Sequence, residues 1–398
     1  MNLLSDLCLR SSMVSSPIPA LVYVRALCGL AWLAVGVLSP LRADEPESTW
    51  DSFRGDPQLT GTAVGTLPDA LQAVWTWVDE DGFEATAAIA QNRVLVGSIG
   101  GRFRALDLER GAEVWLFESE AEIKSSALVA DTSVFFGDEA GILYALDLAN
   151  GTEHWRFRAE AAITSSPNRA GPCLLFGSYD NFLYCLDPVS GTERWRLETE
   201  GYVNATPAIW EGHAVSAGCD GLLRIVNLED GVETRSVELG GYVGASAAIV
   251  GQHAFVGNFE SQVLGLDLQS GMVAWIYDPP EQDFPFYSSA AANSDIVIIG
   301  GRDKRVHALA PGSGEPLWTF AADHRIDASP VIVDNRAFVA TQGGEILALN
   351  LDSGSPVWRF ETGEAMTASP AVAAGHLIIG SVEGTLFAFG AARETDAP

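Results

Sequence analysis

From about residue 72 onward, runs of β-branched and aromatic residues alternate with short stretches rich in Gly, Asp and Asn. Neither kind of segment carries the 3.6-residue apolar spacing of an amphipathic helix. In SVFFGDEAGILYALD (133–147) two apolar runs flank a glycine-bearing turn, the signature of a strand pair. The chain is therefore expected to be built from short strands, with helices playing no part.

The pattern repeats. ALDLERGAEVW (105–115), ALDLANGTEHW (145–155), CLDPVSGTERW (185–195), GLDLQSGMVAW (265–275), ALAPGSGEPLW (308–318) and ALNLDSGSPVW (348–358) align without gaps, and IVNLEDGVETR (225–235) is a degenerate copy. Their last residues, Trp115, Trp155, Trp195, Arg235, Trp275, Trp318 and Trp358, are spaced by 40 apart from one step of 43, and counting back 40 from Trp115 reaches Trp75. A second series has the same period: Thr86, Ser126, Ser166, Thr206, Ser246, Ser289, Ser329 and Ser369 each follow a small residue and precede Pro or Ala. Eight units of four short strands at this spacing predict an all-β fold, an eight-bladed β-propeller of four-stranded antiparallel blades. The last unit lacks an outer strand before the polar tail at 391–398, and AVWTWV (73–78) has the outer-strand character needed to complete it. The expected organisation is a signal peptide over 1–43, a leader over 44–71 and the propeller over 72–390.

Within each unit the glycine series from Gly111 to Gly354 falls where a tight turn needs positive φ. The Asp or Asn four residues earlier is placed to hydrogen-bond the turn backbone. The tryptophans Trp75, Trp115, Trp155, Trp195, Trp275, Trp318 and Trp358 are read as wedges between adjoining blades. The hydroxyl series is expected to satisfy inner-strand backbone groups.

The motif A-x-D-x-x-[TSN]-G-x-x-x-W, as in ALDLANGTEHW, resembles the tryptophan-docking motif of the PQQ-like, quinoprotein-type propellers. ATPAIW (205–210) is similar to that family's inner strand, and WDSFRG (50–55) resembles the start of its exported bacterial members. The resemblance spans about residues 50–390. It implies one of two functions: a non-enzymatic scaffold like the BamB branch, which serves outer-membrane β-barrel assembly, or a dehydrogenase of alcohols or sugars using PQQ and calcium. The units here are minimal, and no segment matches the calcium ligands or catalytic aspartate of the enzymes. The lipid anchor typical of the BamB branch is not evident, since Cys28 sits near the start of the apolar run. The expectation is the scaffold branch, with no cofactor and no catalytic residue.

Topology narrows the search for a binding site. The loop leading into each inner strand and the turn between the second and third strands should share one face. The residue two before each hydroxyl position then rings the channel mouth: Glu84, Lys124, Thr164, Asn204, Gly244, Tyr287, Asp327 and Thr367. These side chains differ while the scaffold around them repeats, so they are the binding candidates. The three-residue insertion lies in YDPPEQDFPFY (277–287), where Phe284 and Phe286 are candidate partner anchors, with local packing over blade six as the alternative. Arg235 replaces a wedge tryptophan and is read as sequence drift, with a modified edge of blade four as the alternative. The six histidines are scattered, and no metal or catalytic constellation emerges.

Charge and chain ends refine this reading. The 398 residues carry 23 Lys and Arg against 52 Asp and Glu, a net charge of −29, which argues against nucleic acid as a partner. The leading segments alone, from the residue after each wedge position to the rim, hold 18 acidic and 6 basic residues. Such a face attracts a basic protein surface or a divalent cation, with a merely solvated acidic surface as the alternative. Arg25 followed by ALCGLAWLAVGVL (26–38) reads as a secretory signal, with an uncleaved anchor as the alternative. The mature chain is then expected to be a monomeric propeller in the periplasm, cell envelope or medium, not spanning a membrane and binding envelope or secreted proteins. Of the cysteines it keeps, Cys173 and Cys185 flank a hairpin and are read as small core residues, although a bridge between them is open; at least one thiol of the three, with Cys219, stays unpaired.

Overall fold

The computed structural model describes residues 48–280 and 284–392. The expected signal segment lies outside them, as does most of the polar tail. Among the described residues there are thirty-two strands and no helix, arranged as eight antiparallel four-stranded sheets. The protein is an eight-bladed β-propeller. Blade two is representative: Leu128–Ala130 is innermost, followed outward by Ser133–Gly137, Ile142–Asp147 and Glu153–Arg158. The inner strand of the eighth blade, Ala371–Ala373, lies against that of the first, Ala88–Ala90, which closes the ring. The missing outer strand of the eighth blade is Gln72–Val78, paired with Thr385–Gly390. Pairing the two ends of the chain leaves the last blade no bare third strand.

The core lies between facing blades. Strand residues that point sideways from one sheet meet those of the next, as where the rings of Phe103 and Phe136 stack with centroids 4.0 Å apart. The outer strands show how the repeat motif works. Every blade has a register irregularity next to its wedge position, which aims that side chain at the following blade. The Trp155 indole donates to the Pro188 carbonyl at 3.2 Å, and Trp358 donates to Leu71 at 3.0 Å, so the same contact also spans the closure point. Gly191 lies beneath the Trp155 ring with φ at 68°, and a Cβ there would come within 2.6 Å of the indole. One glycine thus meets two demands, a left-handed turn and a flat surface for the ring. The preceding Asp187 accepts the turn's N–H groups from Val189 and Ser190. Blade six lacks this acceptor, because Ala310 holds the position.

The structure changes two readings. Cys173 and Cys185 are buried, as expected of core residues, but they are also joined in a disulfide, with Cα atoms 5.3 Å apart; Cys219 is the free thiol. Leu175 faces Cys185 across the strand pair, which puts Cys173 diagonally opposite on the same sheet face. Arg235 is not drift alone. Its guanidinium donates to the carbonyls of Leu268 and Gln269, the place where a tryptophan donates in the other blades, and its stem lies against Gly271.

The leader is a structural element in its own right. The N–H groups of Ile89, Val129, Ile209, Ile249, Ala292 and Ile332, each on a different inner strand, donate to the carbonyls of Trp50, Asp51, Pro57, Gln58, Thr60 and Gly61. The Asn168 side chain donates to Pro57 and the Ala374 N–H to the Ser48 hydroxyl, so all eight blades are engaged. Trp50, Arg54 and Leu59 are fully buried. Arg54 donates to the carbonyls of Ala290 and Pro330 on blades six and seven, and burial pushes its guanidinium down to about 9 despite the charge of Asp56. These bonds stitch the leader across the end of the channel where the inner strands exit.

Candidate loop-face binding site

The opposite end carries the loops. In seven of the eight blades the N–H of the second-to-third-strand turn donates to the carbonyl of a leading loop, as Tyr179 does to Ala162 and Phe259 to Tyr242. The two loop sets therefore share one face, locked by backbone. A column of apolar residues, Phe83, Ile123, Ile163, Val203, Val243, Phe286, Ile326 and Met366, anchors each leading loop in the core. The rim residue follows directly and so stands on a rigid base; Glu84 is exposed and the other seven are half-buried.

Phe286 belongs to this apolar column. It is 1% exposed and packs against Gly257 and His307, so it is a core residue and not a surface anchor for a partner. Phe284, at 50%, is on the surface. The rim residues themselves fall into local groups. Lys124 pairs with Glu122 at 3.3 Å and Glu139 at 3.5 Å; burial opposes its charge, but these carboxylates and Glu84 outweigh it and hold the ammonium above the usual lysine range. Asp327 takes two bonds from Arg302, at 2.7 and 3.2 Å, and a third contact from Arg325. Arg302 also lies 3.4 Å over the Tyr287 ring, which packs on Phe259. Asn204 donates to the Gly244 carbonyl, and the Cys219 thiol, pushed up by burial and by Asp220, donates to Asn204. The Thr164 and Thr367 hydroxyls are buried without a partner.

Below the rim lies the hydroxyl ring. The side-chain oxygen of each of Ser126, Ser166, Thr206, Ser246, Ser289, Ser329 and Ser369 accepts the N–H of its counterpart one blade earlier, at 2.9–3.1 Å. The hydroxyls thus tie neighbouring blades together around the axis.

Sequence reasoning missed the second rank of the site. Tyr179 stacks in parallel on Tyr202 with centroids 4.8 Å apart, and Tyr202 and Tyr242 are 51% and 63% exposed. The signal was present, because the turn position reads Ile99, Glu139, Tyr179, Cys219, Phe259, Arg302, Gln342, Val382 and varies as widely as the rim. One further cluster is internal. His307 lies between Asp303 at 2.9 Å and the Tyr277 hydroxyl at 3.1 Å. Asp220 and Arg224 form the matching pair in blade four, as Asp180 and Tyr184 do in blade three, so this is a packing device of the blades. Among the described residues, no group of three or more His, Cys, Asp or Glu is placed to hold a metal ion.

Comparison with known proteins places this geometry. The family described as outer membrane protein assembly factor BamB matches residues 58–171, 139–301 and 302–394. The chain belongs to that family. No curated protein matches. Among solved structures, BamB from Moraxella catarrhalis is 19% identical with a TM-score of 0.69, covering 82% of this chain and 99% of its own. The computationally designed Ika8 protein is 17% identical, with a TM-score of 0.72 and coverage of 80% and 100%. The quinohemoprotein alcohol dehydrogenase of Comamonas testosteroni is 13% identical, with a TM-score of 0.74 and coverage of 87% and 81%. At these identities the BamB, designed and dehydrogenase structures share with this chain the propeller fold.

Proposed function

We propose that this chain is an exported, non-enzymatic scaffold that binds envelope or secreted proteins through its loop face. The observation that carries the reading is the contrast on that face: non-repeating side chains, among them the exposed Glu84, Tyr202, Tyr242 and Phe284, stand on a backbone that repeats blade after blade and is locked from beneath. The family description, an outer membrane assembly factor, supports an envelope role. The Cys173–Cys185 disulfide supports an oxidising compartment.

The rival reading, a dehydrogenase carrying PQQ and calcium, finds little support in the rim. A tricarboxylate quinone needs cations, and on this face Lys124 of the rim and Arg302 of the adjoining turn are already paired with carboxylates. The residues present do not fit that group. Two measurements test the proposal. Crosslinking followed by affinity purification from envelope fractions should recover a discrete partner that Phe284→Ala or Asp327→Ala depletes; recovery of none contradicts it. Calorimetric titration with PQQ and Ca²⁺ should give no heat, and stoichiometric binding would overturn it.

A further inference from the structure

Aromatic side chains are exposed on one arc of the loop face, over blades three to five. Tyr202 and Tyr242 are equivalent residues of successive leading loops, and the matching positions elsewhere are Gly82, Glu122, Ala162, Pro285, Arg325 and Ala365. The Tyr202 ring is backed by Tyr179, which fixes its plane. The Tyr242 loop is held to Phe259 by a backbone bond, and Gly240 precedes it with φ at 75°. These rings are therefore presented on stiff supports and leave much of their surface in water.

Beside Tyr242 lies a concavity of about 580 Å³ that this ring lines together with Glu200, Glu238 and Glu260, and Glu200 precedes Tyr202 by two residues in the same leading loop. Asp220 also borders it, but Arg224 neutralises that carboxylate at 2.6 Å. The three glutamates form no ion pair with any Arg, Lys or His among the described residues. Planar π faces next to unpaired carboxylates complement one side chain above others. A guanidinium stacks on a tyrosine face while donating to carboxylates at its edge, whereas an ammonium is compact, strongly hydrated and does not stack.

We propose that this arc is the docking surface for an arginine-rich extended protein segment, with arginines seated on Tyr202 and Tyr242 and paired with Glu200, Glu238 and Glu260. The inference rests on the protein-binding reading above and names the chemistry of the partner.

The test uses the full exported chain and three fluorescent peptides, six repeats each of Arg-Ser, Lys-Ser and Glu-Ser, followed by anisotropy at low and physiological salt. The Arg-Ser peptide should bind, more tightly than the Lys-Ser peptide, and the Glu-Ser peptide should not. Tyr242→Ala is expected to weaken Arg-Ser binding about tenfold, between the values of an exposed and a desolvated cation–π contact. Glu238→Gln with Glu260→Gln should weaken it and flatten its salt dependence. Glu211→Gln with Glu229→Gln removes equal charge from the opposite face and should change nothing. All these residues are exposed, and unchanged thermal denaturation of each variant confirms that folding is not the cause. Equal affinity for the Arg and Lys peptides, equal loss in the opposite-face variant, or no binding would overturn the proposal. So would binding of maltohexaose in place of peptide. If envelope crosslinking recovers a partner while the peptide does not bind, the scaffold reading stands and this inference alone fails.

Discussion

Trp155 and Arg235 occupy the same position in blades two and four, and each bonds the same carbonyl position of the following blade. The indole also fills the space above Gly191, so Trp155→Ala is expected to cost about 3–5 kcal/mol in chemical denaturation. Arg235 keeps the hydrogen bond but not the ring, and a cavity of about 260 Å³ remains beside it, lined in part by Trp210 and Leu268. Arg235→Trp should therefore stabilise the fold, by about 1 kcal/mol, read as a higher melting temperature. Charge acts at the same scale in the Asp220–Arg224 pair. Burial raises the Asp220 carboxyl, but the Arg224 guanidinium outweighs it and holds the group below its usual 3.8. A carboxyl depressed in the folded state contributes stability above its unfolded value and loses it as the pH falls through the folded one. Asp220→Asn should accordingly flatten the acid limb of the stability curve below about pH 4 and lower stability at neutral pH.

Among the elements, strands and wedges were legible because eight copies vote on each position, and a residue type that recurs at a fixed offset exposes its structural role. The leader occurs once, so no periodicity could show that its backbone pairs with every blade. Phe286 was misread for the opposite reason. It sits three before Ser289, where every other unit has a buried apolar residue, but the insertion drew attention to the loop instead of the column. The disulfide stayed only an open alternative because burial and bonding of Cys173 and Cys185 are compatible outcomes, and the strand register that brings them together cannot be read from composition. The leader offers a direct check by amide hydrogen exchange. Ile89, Val129, Ile209, Ile249, Ala292 and Ile332 should be strongly protected, and Arg54→Ala should raise exchange at these six sites together. That substitution strands two buried carbonyls and leaves a void, at a cost of about 3–5 kcal/mol. Exchange unchanged at those amides would refute the stitching role.

For the whole molecule, closure between Gln72–Val78 and Thr385–Gly390 joins the chain's ends, and Trp358 spans the same junction through Leu71. Deleting residues 72–78 should bare the edge of Thr385–Gly390 and produce concentration-dependent oligomers on size exclusion. The loop rim was legible because topology alone fixes which loops share a face. Its aromatic second rank was not, since stacking of Tyr179 on Tyr202 depends on a turn and a loop that meet only in the folded ring. The assembled ring has two unlike ends, one stitched by the leader and one bearing varied side chains, and the central claim is that partners engage the second. Site-specific photo-crosslinking in intact cells tests this most directly, with a photoreactive residue at Phe284 or Tyr242 on the loop face and, as the control, at Val189, which is 84% exposed on the other end. The account predicts a discrete crosslinked protein from Phe284 and Tyr242 and none from Val189; the same adducts from both ends, or adducts from Val189 alone, would contradict it.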